Sequence, residues 1–252
     1  MIIRTVVFDL GHTLWDIGPS RGALERAYAA LRVDLMHRLG RGDVPPAADL
    51  QRAVGDALRA ASETYFMNGD RVDQPPSWTW VDQGLRAAGL SLDATLVREL
   101  TPPLFATEID ALVCADGTRD AVAALHTAGY GLGCVTNTLA DTAAIHAMLR
   151  KHGFEELMAS VVVSADEGWR KPHPSLFEKA LRQLGAAPGQ ALFVGDSPAH
   201  DIAGAKAVGM YAVLTRQYVT RPVEGFVPPP DAVIDHVREL PEVIRRIERG
   251  VR

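Results

Sequence analysis

The stretch VVFDLGHTLWD, Val6 to Asp16, joins a short apolar run to a polar loop. The residues Val6–Phe8 have the β-branched and aromatic composition of a strand, and the run stops at the carboxylate of Asp9. Leucine and then glycine, histidine and threonine follow. The pattern predicts a buried strand that carries a carboxylate at its carboxyl end.

Similar apolar runs recur along the chain, and a helical pattern follows each of them. They are Ile2–Phe8, Gly131–Val135, Val161–Val163, Ala191–Val194, Tyr211–Leu214 and Ala232–Ile234. Continuous apolarity is typical of strands that helices cover on both faces. Asp116 is expected to cap a helix that continues through Ala128, and two further helices are predicted over 174–185 and 198–208. The alternation predicts an α/β fold with a doubly wound, Rossmann-like parallel sheet.

One interval, from about residue 18 to residue 105, shows helical patterns and no convincing strand. Its first apolar residues recur at helical spacing between Ser20, a possible cap, and Gly40. We expect an all-helical cap over residues 17–105, inserted into an α/β core that comprises residues 1–16 and 106–252. The alternative is a helical excursion that packs flat on the sheet.

Composition narrows the class of protein. Of the 252 residues, 47% are hydrophobic and 23% are charged, and the formal net charge is -5. This balance is typical of globular domains and predicts no nucleic-acid or membrane surface. No signal peptide or membrane-spanning stretch is expected, and Cys114 and Cys134 lie too far apart to suggest a disulfide framework. Together these features favour a cytoplasmic protein.

Polar side chains close several of the predicted strands. Asp9 ends the first, Thr136 and Asn137 the second, Lys171 follows the third, and Asp196 follows the fourth. Each alone is compatible with an ordinary cap, turn or solvated side chain. In an open parallel sheet, however, ligands bind beyond the carboxyl ends of the strands, so we expect these groups to converge.

The chemistry of this set is mutually consistent. Two carboxylates, Asp9 and Asp196, repel each other unless a cation such as Mg²⁺ lies between them. Hydroxyl, amide and ammonium donors from Thr136, Asn137 and Lys171 would complete an anion site suited to phosphoryl transfer. Asp9 is then the candidate nucleophile, which would pass through an aspartyl-phosphate.

Four segments carry a resemblance to a known family. FDLGHTL, VTNT, RKPHP and VGDSPAHDIAGAKAVGM resemble, in this order, the four motifs of the haloacid dehalogenase superfamily. The helical insert after the first motif resembles its subfamily I, which has a small helical cap. The segment PDAVIDHVRELPEVI is similar to the family's last strand and helix.

The resemblance implies a role for each matched residue. Asp9 would be the nucleophile, Thr136 would bind a phosphoryl oxygen with Asn137 beside it, and Lys171 would offset the negative charge. The Mg²⁺ ligands would be Asp9, the main-chain carbonyl of Gly11, Asp196 and, directly or through water, Asp201.

This chain departs from the family pattern at Gly11. Family phosphatases usually carry a second aspartate there, which protonates the leaving oxygen and then assists water. One hypothesis is a phosphatase that works without it, either slowly or on substrates whose leaving group needs little protonation. His12, counted among the candidate phosphate-site residues, would then shuttle a proton; the alternative for His12 is a loop histidine without a catalytic role.

Three other functions have to be considered. A 2-haloacid dehalogenase would also lack the second aspartate, but those relatives lose the Gly-Asp pair that this chain keeps at Gly195 and Asp196. A phosphonate-cleaving enzyme of the family would need a cap lysine, and residues 18–105 contain no lysine. A phosphate-ligand-binding protein with a vestigial site is the remaining alternative.

The substrate is predicted only as a class. The family implies a small phosphorylated metabolite such as a sugar phosphate, phosphoglycolate or a nucleotide. Trp78 and Trp80 could stack on a ring, although core packing is the more common role of such a pair. Arg21 and Arg71 could meet a second anionic group, although exposed arginines are usually only solvated.

Overall fold

The computed structural model describes residues 2–18, 22–67, 71–105, 109, 111–222 and 225–250, without the side chains of residues 66 and 67. Six strands form one parallel sheet, and two short strands form an antiparallel pair. The strands are β1 (Thr5–Phe8), β2 (Asp16–Ile17), β3 (Leu112–Val113), β4 (Gly131–Thr136), β5 (Ser160–Val163), β6 (Ala191–Gly195), β7 (Tyr211–Thr215) and β8 (Ala232–Ile234).

The large sheet has the order β5-β4-β1-β6-β7-β8, with every neighbouring pair parallel. The first strand, β1, therefore lies in the middle, and Phe8 is in register with Cys134 of β4 and Val194 of β6. All six sheet strands fall within two or three residues of their predicted positions. The predicted fold class is confirmed.

Burial explains why these strands are apolar throughout. On β1, Val6 and Phe8 contribute to one apolar cluster, whereas Val7 contributes to another cluster on the opposite face of the sheet. All three side chains are at most 1% exposed. Because successive side chains point to opposite faces, a strand with a helix layer on each side must be apolar at every position.

Helices of the core flank this sheet. They are α6 (Thr118–Thr127), α7 (Thr142–Lys151), α8 (Ser164–Glu167), α9 (Pro174–Gln183), α10 (Ala203–Ala207) and α11 (Leu240–Glu248). The prediction that Asp116 caps α6 is wrong. Gly117 occupies the N-cap position with φ 80°, a left-handed conformation that glycine adopts without steric cost, and no side chain caps this helix end.

The interval between β2 and β3 is helical in the described residues. It contains α1 (Ala23–Leu39), α2 (Ala47–Ser62), α3 (Ser77–Ala87), α4 (Ala94–Leu100) and α5 (Pro102–Phe105). Their buried side chains, including Tyr28, Leu35 and Leu85, form an apolar cluster of their own, which supports an inserted subdomain over an excursion packed flat on the sheet. The boundaries at residues 17 and 105 stay a prediction. Ser20, the expected cap of α1, lies outside the described residues, and Gly22 occupies the N-cap position.

Close packing within this helical unit depends on a glycine. A Cβ atom on Gly84 of α3 would lie 2.5 Å from the Cα atom of Val54 in α2. Since real Cβ atoms do not approach backbone so closely, a side chain at position 84 would push α2 and α3 apart. The pair forms the most extensive helix contact of the cap.

Two short strands mark the junction of core and cap. Asp16–Ile17 pairs antiparallel with Leu112–Val113 and forms a two-stranded flap, whose strands the sequence did not predict because two residues carry no periodicity. Ile17 and Val113 expose 57% and 55% of their surface on this flap.

In the part of the chain that is described, no helix combines the length and apolar character that a membrane crossing requires.

Candidate active site

The sheet order brings the predicted site residues together. Asp9 follows β1, Thr136 ends β4 and Asp196 follows β6, and β1 is hydrogen-bonded to both of the other strands. The carboxylate oxygens of Asp9, Asp196 and Asp201 include atoms that all lie within 4.8 Å of one another. All three residues are buried and line a cavity of about 480 Å³.

Lys171 reaches the same point from the loop after α8. Its Nζ atom lies 2.6 Å from Oδ1 of Asp9 and 2.7 Å from Oδ1 of Asp201. The side chain is only 2% exposed. Burial disfavours the charged amine, but the carboxylates of Asp201 and Asp9 outweigh it and raise the pKa of Lys171 above its ordinary value. The ammonium is therefore held in its charged form between two carboxylates.

Burial next to one another raises the pKa values of two of the three carboxyl groups. Burial is the main cause that raises the pKa of Asp9 from 3.8 to about 7, and repulsion by Asp201 and Asp196 adds to it, while Lys171 acts in the opposite sense. Burial and the charge of Asp201 also raise the pKa of Asp196. A divalent cation would relieve both effects, and clustered carboxylate oxygens are the ligands that Mg²⁺ prefers. The residues present therefore fit a hard divalent metal.

Local structure fixes two of these carboxylates. The Oγ1 atom of Thr13 donates a 3.3 Å hydrogen bond to Oδ2 of Asp9. The main-chain N–H of Ser197 donates to Oδ2 of Asp201 at 2.9 Å. A Cβ atom on Gly195 would lie 2.3 Å from that same oxygen. Glycine at the end of β6 is thus required for Asp201 to approach the site.

The side chain of Asn137 is hydrogen-bonded to the main chain of Lys171. Its Oδ1 accepts a 2.7 Å hydrogen bond from the N–H of Lys171, and its Nδ2 donates to the carbonyl of Lys171 at 3.1 Å. The amide also lines the cavity, and its predicted contact with a phosphoryl oxygen stays a prediction. Asn137 therefore positions the loop that carries Lys171. The peptide bond between Lys171 and Pro172 is cis.

Gly11 and His12, which follow Asp9 closely in sequence, lie at the cavity wall. Nothing lies within 4 Å of the point where a Cβ atom on Gly11 would be. His12 adopts a left-handed backbone with φ 55°, and its Nδ1 atom lies 3.1 Å from Oδ1 of Asp16 on the flap. Its side chain is 43% exposed.

Several cavity residues were not predicted from the sequence. The guanidinium of Arg221 donates from Nε to Oδ2 of Asp196 at 2.8 Å. Arg170 and His200 also line the cavity. Arg170 and His200 adjoin predicted residues, so their positions offered a signal, whereas Arg221 follows β7 in a loop without a recognisable motif.

The cap residues considered for substrate contact lie elsewhere. Trp80 is buried against the ring of Tyr65, with ring centroids 5.4 Å apart. Trp78 packs under the guanidinium of Arg98, and Arg71 pairs with Asp73. None of these predicted contacts lines the cavity around Asp9. Arg21 lies outside the described residues.

The family of the chain follows from comparison with known proteins. A family model of haloacid dehalogenase-like hydrolases matches residues 3–209. The chain belongs to this family and is a hydrolase, so the predicted family is confirmed.

Individual relatives agree with this assignment. A glyceraldehyde 3-phosphate phosphatase of Pyrococcus furiosus is 34% identical over 97% of this chain and 94% of its own length. Another from Methanopyrus kandleri is 36% identical, but that match spans 48% of this chain and 52% of the relative. A phosphoglycolate phosphatase of Salmonella typhi is 29% identical over 94% of this chain and 91% of its own length.

The fold has close counterparts among solved structures. A 2-haloacid dehalogenase from Pseudomonas syringae pv. Tomato superimposes with a TM-score of 0.66 and 26% identity, over 98% of this chain and 100% of that one. Relatives with two different reactions thus share the architecture, and the site has to decide between them.

Proposed function

We propose that the protein is a Mg²⁺-dependent phosphatase that hydrolyses a small phosphorylated metabolite through an aspartyl-phosphate on Asp9. The observation that carries this proposal is the buried cluster in which Asp9, Asp196 and Asp201 share one point with the ammonium of Lys171. The phosphatase activities of the relatives from Pyrococcus furiosus and Salmonella typhi support it.

The metal would be held by oxygen ligands of this cluster. Asp9, Asp196 and Asp201 supply carboxylates, and the main-chain carbonyl of Gly11 is the fourth candidate. A bound Mg²⁺ supplies positive charge that offsets these carboxylates and the phosphoryl oxygens.

Asp9 is placed to act as the nucleophile. One carboxylate oxygen attacks phosphorus, the P–O bond to the ester oxygen breaks, and the alkoxide leaves and takes up a proton. Lys171, whose Nζ atom lies 2.6 Å from Oδ1 of Asp9, balances charge on Asp9 and on the incoming phosphoryl oxygens. The Thr136 hydroxyl at the end of β4 donates to a phosphoryl oxygen. Water then attacks the acyl-phosphate, which releases phosphate and restores Asp9.

With glycine at position 11, the chain lacks the carboxyl group that family phosphatases usually use to protonate the leaving oxygen. Positioned proton transfer is typically worth about 10²–10⁴ in rate, so turnover of esters with poor leaving groups is expected to be slow. His12 stands at the cavity wall and is the candidate to supply the proton in its place. The residues that line the rest of the cavity would then select the ester. Assays with a panel of phosphorylated metabolites would identify this substrate.

The likeness to a solved dehalogenase structure raises one competing reaction, the displacement of halide from a 2-haloacid. Displacement of halide from a 2-haloacid needs a carboxylate nucleophile but no divalent cation, and gives no role to a cluster of three buried carboxylates. The vestigial-site alternative keeps the cluster and loses turnover. The cluster of three carboxylates favours a metal-dependent phosphatase over a dehalogenase, and the phosphatase activities of the relatives favour turnover over a vestigial site.

Hydrolysis of p-nitrophenyl phosphate by the purified protein, with Mg²⁺ and with excess chelator, separates the three. We expect phosphate release that requires Mg²⁺ and is abolished in Asp9→Asn, with Asp120→Asn as the matched control because its side chain is 86% exposed. Halide release from a 2-haloacid in chelator would instead establish a dehalogenase. Metal-dependent phosphate binding without turnover of any panel ester would establish a binder.

A further inference from the structure

One basic residue of the cavity is not explained by phosphoryl transfer as described above. The Nε atom of Arg221 donates to Oδ2 of Asp196 at 2.8 Å. The Asp196 side chain is 7% exposed, whereas that of Arg221 is 42% exposed at the cavity wall. The guanidinium thus reaches from the cavity mouth onto a carboxylate that the proposed function assigns to the metal.

The loop that carries Arg221 is anchored from the other side. Gln217 donates from Nε2 to Oγ1 of Thr118 at 2.9 Å and to the carbonyl of Thr13 at 3.3 Å. The Gln217 Oε1 atom accepts from the N–H of Val237 at 3.0 Å. The half-buried amide of Gln217 has partners at both of its ends and therefore holds this part of the loop in one place.

The next residue of the loop repeats this connection. The hydroxyl of Tyr218 donates to the carbonyl of Leu14 at 3.0 Å and accepts from the N–H of Ala115 at 2.7 Å. Thr13 and Leu14 belong to the turn that follows Asp9. The loop after β7 is therefore attached to the turn that follows the nucleophile. These hydrogen bonds help to fix the position of Arg221 over Asp196.

The contacts divide the cations among the carboxylates. Lys171 touches Asp9 and Asp201, and Arg221 touches Asp196. A divalent cation that binds the Oδ2 atom of Asp196 has to displace the guanidinium or share the oxygen with it. In either case the positive charge of Arg221, which contacts Asp196, would oppose the binding of a cation by the same carboxylate.

We propose that Arg221 is a resident counter-ion that competes with the divalent cation for Asp196 and thereby weakens the metal affinity of the site. The inference rests on the proposed function in one respect, namely that Asp196 is a metal ligand. Arg221 would keep Asp196 paired in the metal-free protein and would set the metal concentration at which the site fills.

Calorimetric titration of Mn²⁺ into the metal-free protein tests this proposal without reference to turnover. We expect Arg221→Gln to bind Mn²⁺ about fivefold more tightly than the natural chain, a change that corresponds to about 1 kcal/mol. Arg238→Gln is the matched control, since Arg238 is exposed and lies outside the cavity, and its affinity should equal that of the natural chain.

A second variant acts on the anchor of the loop. Tyr218→Phe removes the hydroxyl that bonds to Leu14 and Ala115, so the guanidinium is held less firmly over Asp196 and Mn²⁺ affinity should rise by a smaller factor. Circular dichroism of each variant establishes that it is folded. Equal or weaker Mn²⁺ binding by folded Arg221→Gln would overturn the inference alone. Absence of Mn²⁺ binding by the natural chain would overturn the proposed metal site as well.

Discussion

Asn137 and Lys171 are joined at both ends of one side-chain amide, which accepts from the Lys171 N–H at 2.7 Å and donates to the Lys171 carbonyl at 3.1 Å. The end of β4 thereby holds the loop after α8, and the ammonium of Lys171 reaches Asp9 from a fixed main chain. Two loops far apart in sequence act as one support for the nucleophile. The geometry makes Asn137 a positioning residue for Lys171.

Asn137→Ala should therefore impair turnover through Lys171. We expect kcat for p-nitrophenyl phosphate to fall about tenfold, the cost of a misplaced charge near the reacting atoms, with a smaller effect on KM. Gln51→Ala, an amide truncation on α2 outside the cavity, is the control and should leave kcat unchanged. An unchanged kcat in folded Asn137→Ala would show that Lys171 is held without this amide.

The raised pKa of Asp9 predicts how stability depends on pH when the metal is removed. Because the folded protein raises this pKa from 3.8 to about 7, it binds the proton more tightly than the unfolded chain does. The contribution of Asp9 to the free energy of unfolding is thus full below about pH 4 and is lost as the pH rises toward 7. The ammonium of Lys171 stays charged throughout this window and adds no slope.

Urea unfolding in excess chelator at pH 5 and pH 8 measures this effect. Asp9→Asn lacks the titrating group, so the free energy of unfolding of the natural chain should fall relative to that of Asp9→Asn between the two values. Asp120→Asn, on an exposed part of α6, should keep the same pH dependence as the natural chain. Parallel behaviour of the natural chain and Asp9→Asn would contradict the raised pKa.

Local sequence patterns were sufficient for the frame of the site. Apolar strands that must be buried on both faces are visible as continuous runs, and a carboxylate such as Asp9 that ends one of them is conspicuous. Once the strands are parallel and ordered, Asp9, Thr136 and Asp196 have to meet. The positions of these residues were therefore predictable before any contact was known.

Contacts between distant loops were not predictable in the same way. The amide of Asn137 and the guanidinium of Arg221 find partners 34 and 25 residues away, and no local pattern records such a pairing. Asp116 is a residue type that often caps helices, but its neighbour Gly117, with a left-handed backbone, occupies the N-cap position of α6. The choice between such neighbours depends on tertiary packing that a pattern does not contain.

A contact between cap and core predicts a stability effect. Gln74, only 1% exposed, donates from Nε2 to the carbonyl of Thr138 at 2.7 Å, next to the end of β4. Gln74→Leu would remove one of two donors to the carbonyl of Thr138, which also accepts from Oγ of Ser164 at 3.3 Å, and we expect the free energy of unfolding to fall by about 1 kcal/mol. Gln51→Leu makes the same exchange on a partly exposed face of α2 and should cost less. Equal losses in urea unfolding would mean that the buried bond contributes nothing.

The open space at Gly11 predicts a gain of activity. A Cβ atom there would meet no other atom within 4 Å, so the surroundings leave open space where a side chain at position 11 would begin. The new carboxyl of Gly11→Asp would stand at the cavity wall two residues after the nucleophile, where it can protonate the leaving oxygen. Because alkyl esters leave poorly without a proton, kcat for an alkyl phosphate should rise by about 10²–10⁴.

An aryl phosphate serves as the internal comparison, since its phenolate leaves readily, and its kcat should change far less. Gly11→Asn has nearly the same shape but an amide that cannot deliver a proton at neutral pH, so it separates proton transfer from packing. We expect no gain in Gly11→Asn. If Gly11→Asp also brings no gain with either ester while it stays folded and binds Mg²⁺, then the proton already comes from another group, and the glycine is not what limits this enzyme.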